Sequence, residues 1–189
     1  MGKRIVLAGV VAGIVLFLWE SVAHMVLPLG EAGIRGLDNE AAMLAAIKAN
    51  VKEDGFYFFP NPLAPGGTPE QQRQAEQAML AGPAGIMIVH PKGDPGLTAT
   101  RLILQGTFDI LSMILAGIVL SQAVMLKGLG LRIGLVTMLA CLPTLRTELP
   151  QWNWYGFPAA YTASQLTLHL VGFALGGFVL AKVITASGE

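Results

Sequence analysis

The chain has 189 residues, of which 53 % are hydrophobic and 13 % are charged. Soluble domains carry about 25 % charged residues, so the polar side chains here are too few to cover a small soluble protein. The formal net charge is zero, which gives no basic footprint for nucleic acid. The single cysteine, Cys141, excludes intrachain disulfides and cysteine-only metal sites. This composition predicts a protein whose main partner is the lipid bilayer.

Four apolar stretches are long enough to cross a membrane, because a spanning helix needs about 20 mainly apolar residues. They cover residues 5–27, 102–126, 131–149 and 158–181. Pro143 lies in the third stretch and predicts a kink there, since proline offers no backbone donor. We therefore predict an all-α membrane protein with four transmembrane helices. Residues 1–27 form the first helix, residues 28–100 a small α+β extracytoplasmic insert, and residues 101–189 the other three helices.

The first stretch has a second interpretation as a cleaved signal peptide. Lys3 and Arg4 precede the apolar run, and Ser21-Val22-Ala23 is typical of a cleavage site. The apolar run continues past that site to Leu27, which favours a retained helix. Both interpretations stay open.

Basic residues in short loops set the orientation of a membrane protein. Those on one side of the four spans are Lys3, Arg4, Lys127, Arg132 and Lys182. The short loop on the other side holds Arg146, Glu148 and an aromatic run from Trp152 to Phe157. We expect both termini in the cytoplasm, the aromatic run at the outer interface, and Arg146 paired with Glu148 or with lipid headgroups.

The insert has the sequence signals of four short elements. In chain order they are a helix capped by Asp38 or Asn39, a strand at 56–59, a helix opened by the capping box Thr68-Pro69-Glu70-Gln71, and a strand at 86–89. A Pro/Gly loop at 60–67 follows the first strand. The two strands can pair, but such a unit is too small for a robust core of its own. We expect it to lie against the helices or against a partner protein.

Ionisable residues inside membrane helices are costly, so each one is a functional candidate. Helical spacing gives each of the four predicted helices one face of small or polar residues. The candidate cluster drawn from these faces is Glu20, His24, Arg101, Gln105, Asp109, Gln165 and His169. At 1.5 Å per residue, we expect Glu20, Asp109 and His169 to lie about 10–16 Å below the outer helix ends, at a shared level. His24 should lie nearer the outer end of its helix.

Three interpretations of this cluster stay open. Its members form a hydrogen-bonded interior, they bind a ligand or pass protons, or Glu20, Asp109 and His169 hold a divalent metal with one open position. No other cofactor is predicted. The chain has no phosphate-binding glycine loop, His-Glu-x-x-His, Gly-x-Ser-x-Gly or Cys-x-x-Cys motif, which disfavours the enzymes that use them.

Several short motifs resemble a group of small bacterial four-helix integral membrane proteins with no known activity. They are Phe17-Leu18-Trp19, Val26-Leu27-Pro28, Gly55-Phe56-Tyr57 and Trp152-Asn153-Trp154-Tyr155-Gly156-Phe157-Pro158. The resemblance implies a bacterial inner membrane and assigns no catalytic residue. The leading hypothesis is a non-enzymatic accessory or assembly subunit whose insert engages a membrane or periplasmic protein partner. The alternative is an outward-facing ligand, proton or metal site within the helices.

Overall fold

A computed structural model describes residues 2–61 and 67–184 of the protein. The predicted Pro/Gly loop lies mostly outside the described residues. The elements, in chain order, are α1 (Gly2–Met25), α2 (Glu40–Asn50), β1 (Gly55–Phe59), α3 (Pro69–Ala81), β2 (Gly85–Val89), α4 (Ala99–Gln122), α5 (Leu129–Leu139), α6 (Cys141–Pro143), a π segment (Thr144–Glu148), α7 (Leu149–Tyr155) and α8 (Ala159–Val183).

Four helices are long and apolar enough to cross a membrane, as predicted from the hydropathy. They are α1, α4, the continuous run Leu129–Tyr155, and α8. The third was predicted to end at residue 149 but continues to Tyr155, within the aromatic run. Gly156 ends it in the left-handed conformation (φ 69°), a common helix terminus that glycine adopts without strain.

The third helix is distorted on both sides of Pro143, where a kink was predicted. Before it, α5 ends at Leu139 and the Ala140 N–H donates to the carbonyl of Thr137, three residues earlier. The π segment follows it. In the π segment, the backbone N–H of Leu149 donates to the carbonyl of Thr144, which is five residues earlier. In an α-helix the acceptor is four residues earlier. Pro150 follows directly and has no N–H to offer the carbonyl of Arg146, and its ring needs room beside that carbonyl. Widening the turn to the π form provides that room, so the helix is re-registered between Pro143 and Pro150.

Helices α1 and α4–α8, with the π segment, are here called the helix bundle, and α1 lies between two of its long helices. Helix α1 contacts both α4 and α8, and α5 packs on α8. The buried apolar core consists of Ala8, Ala12, Leu16, Met113, Ala116, Leu120, Val136, Leu180 and Ile184. Small residues dominate the α1 part of this core, which allows its neighbours to approach closely.

Residues Arg35–Gly96 form a separate compact unit, here called the insert unit. Strands β1 and β2 pair antiparallel, with Gly55 opposite Val89 and Phe59 opposite Gly85, so the predicted strand pairing is confirmed. The Asn39 side chain caps α2, and Thr68 with Gln71 forms the predicted capping box of α3.

Candidate functional site

Two carboxylates of the predicted cluster meet at one glutamine. Nε2 of Gln105 donates to Oε2 of Glu20 at 3.0 Å and to Oδ1 of Asp109 at 2.9 Å. One amide nitrogen carries two hydrogens and so serves both acceptors. The two carboxylate oxygens lie within about 6 Å of each other, because two bonds of this length cannot span more. Asp109 is 4 % exposed, and its Oδ2 is buried with no hydrogen-bond partner in the described part of the chain.

The sequence places these groups together through helical spacing and a close helix contact. Gln105 and Asp109 are four residues apart on α4 and therefore share a face. Glu20 comes from α1, which approaches α4 closely at Gly9. A Cβ atom added to Gly9 would lie only 2.8 Å from the Cα atom of Ile114. The helices also approach closely at Gly13, nearer the site, where an added Cβ atom would lie 2.7 Å from the backbone nitrogen of Ile110, the neighbour of Asp109. Small residues on α1 therefore allow the two polar faces to come within hydrogen-bonding distance.

An open groove of about 270 Å³ adjoins the two carboxylates and is here called the acidic groove. Its lining includes Phe17, Glu20, Ser21, His24, Leu102 and Gln105. His24 is exposed, and its Nδ1 donates to the backbone carbonyl of Glu20 at 2.9 Å. The groove thus has apolar walls, with the Glu20 carboxylate and the Gln105 amide on one side and the His24 imidazole beside them. Asp109 is buried next to the groove and is hydrogen-bonded to the Gln105 amide.

The other predicted members of the cluster are Arg101, Gln165 and His169. His169 is half-buried on α8, and the charged group that acts on it is Glu148 of the π segment. Gln165 is half-buried one turn before His169. Arg101 is exposed at the start of α4, one turn before Gln105. Helix depth alone suggested that His169 would join the two carboxylates; within the described residues His169 makes no hydrogen bond to either of them, and its Nδ1 has no partner.

Buried polar groups near the π segment were missed at the sequence level. Glu148 was expected to pair with Arg146 or with headgroups, but it is only 9 % exposed while Arg146 is exposed. Buried side-chain atoms of Thr144, Glu148, Thr162 and His169 have no hydrogen-bond partner within the described ranges. Pro143 predicted a distortion of this helix, but a proline does not tell which side chains the distorted turn buries.

The insert unit carries an apolar surface. Of its described residues, Val51 alone is buried. Large apolar side chains that are exposed include Met43, Leu44, Phe56, Phe59, Leu80 and Ile88. A groove of about 500 Å³, here called the apolar groove, is lined by residues that include Met43, Ile47, Val51, Phe59, Ile86 and Met87. The unit therefore has little core and much uncovered apolar surface.

Among the described residues, no three His, Cys, Asp or Glu side chains are grouped closely enough to hold a metal ion. Glu20, Asp109 and His169 therefore do not form a three-ligand site in this arrangement. No family model, no curated protein and no solved structure matches the chain.

Proposed function

We propose that the protein is an accessory or assembly subunit of a complex in the bacterial inner membrane, and that its insert unit engages a partner on the periplasmic side. The observation that carries this proposal is that Val51 alone is buried among the described residues of the insert unit. A unit of this size gains too little from burial to be rigid by itself. A partner that covers its apolar side chains supplies the missing burial.

The apolar groove is the best candidate for the contact. Met43 and Ile47 of α2 lie one turn apart on the same helix face and line it together with residues of β1 and β2. Exposed apolar patches that are rimmed by polar residues are typical of protein interaction sites. Met43 is 44 % exposed, so a contact that buries it gains apolar area.

The test compares two matched substitutions on α2 in protein purified gently from its native membrane. Met43→Asp places a charge in the apolar groove, whereas Ala45→Asp places the same charge on an exposed α2 residue outside the groove lining. We expect a stoichiometric companion protein to be lost from the Met43→Asp sample and retained by the Ala45→Asp sample. Mass spectrometry and native gel electrophoresis report this. A wild-type protein that is isolated only as an uncomplexed species refutes the proposal.

A second candidate function is an outward-facing site for a proton or a cationic ligand in the helix bundle. The sharing of one amide nitrogen by Glu20 and Asp109 favours it, because two carboxylates so close together attract positive charge. Asp109→Asn and Glu20→Gln should each abolish cation binding, measured by isothermal titration with a long-chain alkylammonium ion, without loss of helix content. Unchanged binding in both variants excludes this function.

A further inference from the structure

We infer that the acidic groove receives a lysine or arginine side chain from a transmembrane helix of the partner. This inference rests on the accessory-subunit function proposed above and adds a second contact, within the membrane, to the one at the insert unit. The occupant is identified by charge. Glu20 lines the groove, and Gln105, which also lines it, joins Glu20 to the buried Asp109. Among the described lining residues the basic group is the His24 imidazole and there is no lysine or arginine, so the two carboxylates favour one further basic group.

The exposure of the groove calls for a cover. Gln105 is exposed and Glu20 half-buried, although both belong to helices long and apolar enough to cross a membrane. Polar and ionisable side chains in membrane helices almost always face the bundle interior or a cavity and pair with one another. Here Asp109 is buried behind Gln105 with Oδ2 unpartnered among the described residues, so the pair lacks a donor that completes it.

The depth of the groove fixes where the partner's basic residue must lie. At 1.5 Å per residue, Glu20 lies about 8 Å from the end of α1 at Met25, and Gln105 and Asp109 lie about 9 and 15 Å from the start of α4 at Ala99. A lysine on a partner helix at this level reaches the carboxylates with its flexible stem along the apolar walls.

A second copy of this chain fits the groove less well than a different partner does. A two-fold dimer across the groove brings like carboxylates toward each other, because such an interface presents the same surface on both sides. Arg101, the nearby basic residue of α4, already has an interaction within the chain. A heterologous helix that carries one basic residue meets the charge requirement without either problem.

The test uses a designed probe with the full-length protein in nanodiscs. The probe is a leucine/alanine transmembrane peptide with one lysine about 10 Å from its outer end, and its controls carry leucine instead or place the lysine about 10 Å deeper, which is seven residues along a helix. Energy transfer between a dye on Cys141, the only cysteine, and a dye on the peptide measures association.

We expect the lysine peptide to bind about tenfold more tightly than the leucine peptide, as polar contacts between membrane helices do. Glu20→Gln and Asp109→Asn, singly and together, should remove this preference, whereas Glu148→Gln, a buried carboxylate of another helix, should keep it. Equal binding of both peptides, or a preference that survives the double variant, overturns the inference. The inference is also overturned if energy transfer shows that two differently labelled copies of the protein associate and leave the peptide unbound.

Two further outcomes separate this inference from its alternatives. If a long-chain alkylammonium ion binds in a Glu20-dependent manner while the peptide shows no preference, the groove is a small-ligand site and the inference is wrong. The insert-unit proposal is tested with Met43→Asp and the native companion, so either proposal can fail while the other stands.

Discussion

Replacing Gly9 by alanine tests whether α1 and α4 are held in direct backbone contact. A Cβ atom at this position would lie 2.5 Å from Cγ1, 2.8 Å from Cα and 2.9 Å from the backbone nitrogen of Ile114. Carbon atoms in good contact are about 3.5–4.0 Å apart, so the helices must separate by about 1 Å. Turning the Ile114 side chain away does not relieve the clash, because two of the three close atoms are backbone.

The cost follows from two opposing effects. Overpacking of a tight contact destabilises by about 1–3 kcal/mol. Alanine is favoured over glycine in a helix by about 1 kcal/mol, which offsets part of that cost. We expect Gly9→Ala to lower the free energy of unfolding by up to about 2 kcal/mol, which is the difference between these two effects. The measurement is SDS-driven unfolding in mixed micelles, followed by circular dichroism.

The matched control is Gly134→Ala on α5, where an added Cβ has no other atom within 4 Å. Only the helix preference acts there, so this variant should be neutral or slightly more stable. Adding Ile114→Ala should rescue Gly9→Ala only in part, since the backbone contact remains. If Gly9→Ala unfolds like Gly134→Ala, or if Ile114→Ala rescues it fully, the close backbone approach is refuted.

Three further substitutions test contacts in other parts of the molecule. Arg132 is 4 % exposed and donates to the backbone carbonyl of Ile184, so Arg132→Met should destabilise the bundle by about 2–3 kcal/mol in the same SDS assay. Trp19→Phe removes the 3.0 Å hydrogen bond from the indole to the Leu168 carbonyl and should cost about 1 kcal/mol there. Thr68→Ala removes the N-cap of α3 and should destabilise that helix by about 1 kcal/mol. Amide exchange in the first turn of α3 should become faster, whereas Thr68→Ser should exchange close to wild type. Unchanged unfolding or exchange in any of them contradicts the contact concerned.

Short local signals in the sequence correctly predicted a helix cap and the two strands. Thr68-Pro69-Glu70-Gln71 contains both halves of a capping box, and that box is present in α3. The strands at β1 and β2 followed from short aromatic and aliphatic runs bounded by turn residues. Such signals lie within a few residues of one another, so no knowledge of the neighbouring elements is needed to interpret them.

The sequence did not predict which helices the polar faces contact. Spacing put Glu20, Asp109 and His169 on interior faces at one level, but it does not say which helix each face meets. In the structure α1 contacts both α4 and α8. Glu20 of α1 accepts a hydrogen bond from Gln105 of α4, while Trp19 of α1 donates one to the carbonyl of Leu168 on α8. The polar residues of α4 and those of α8 therefore face different sides of α1.

Electrostatics connects the acidic groove to the proposed partner. When both are ionised, two carboxylates about 6 Å apart repel by about 3 kcal/mol at an effective dielectric constant of 20. One positive charge about 4 Å from each gains about 4 kcal/mol twice at the same dielectric constant, before its own desolvation is counted. The two carboxylates therefore repel each other when both are ionised, and one basic group beside them offsets that repulsion. Since Gln105 is neutral and holds Glu20 and Asp109 in place without adding charge, the groove is organised for such a group before any partner arrives.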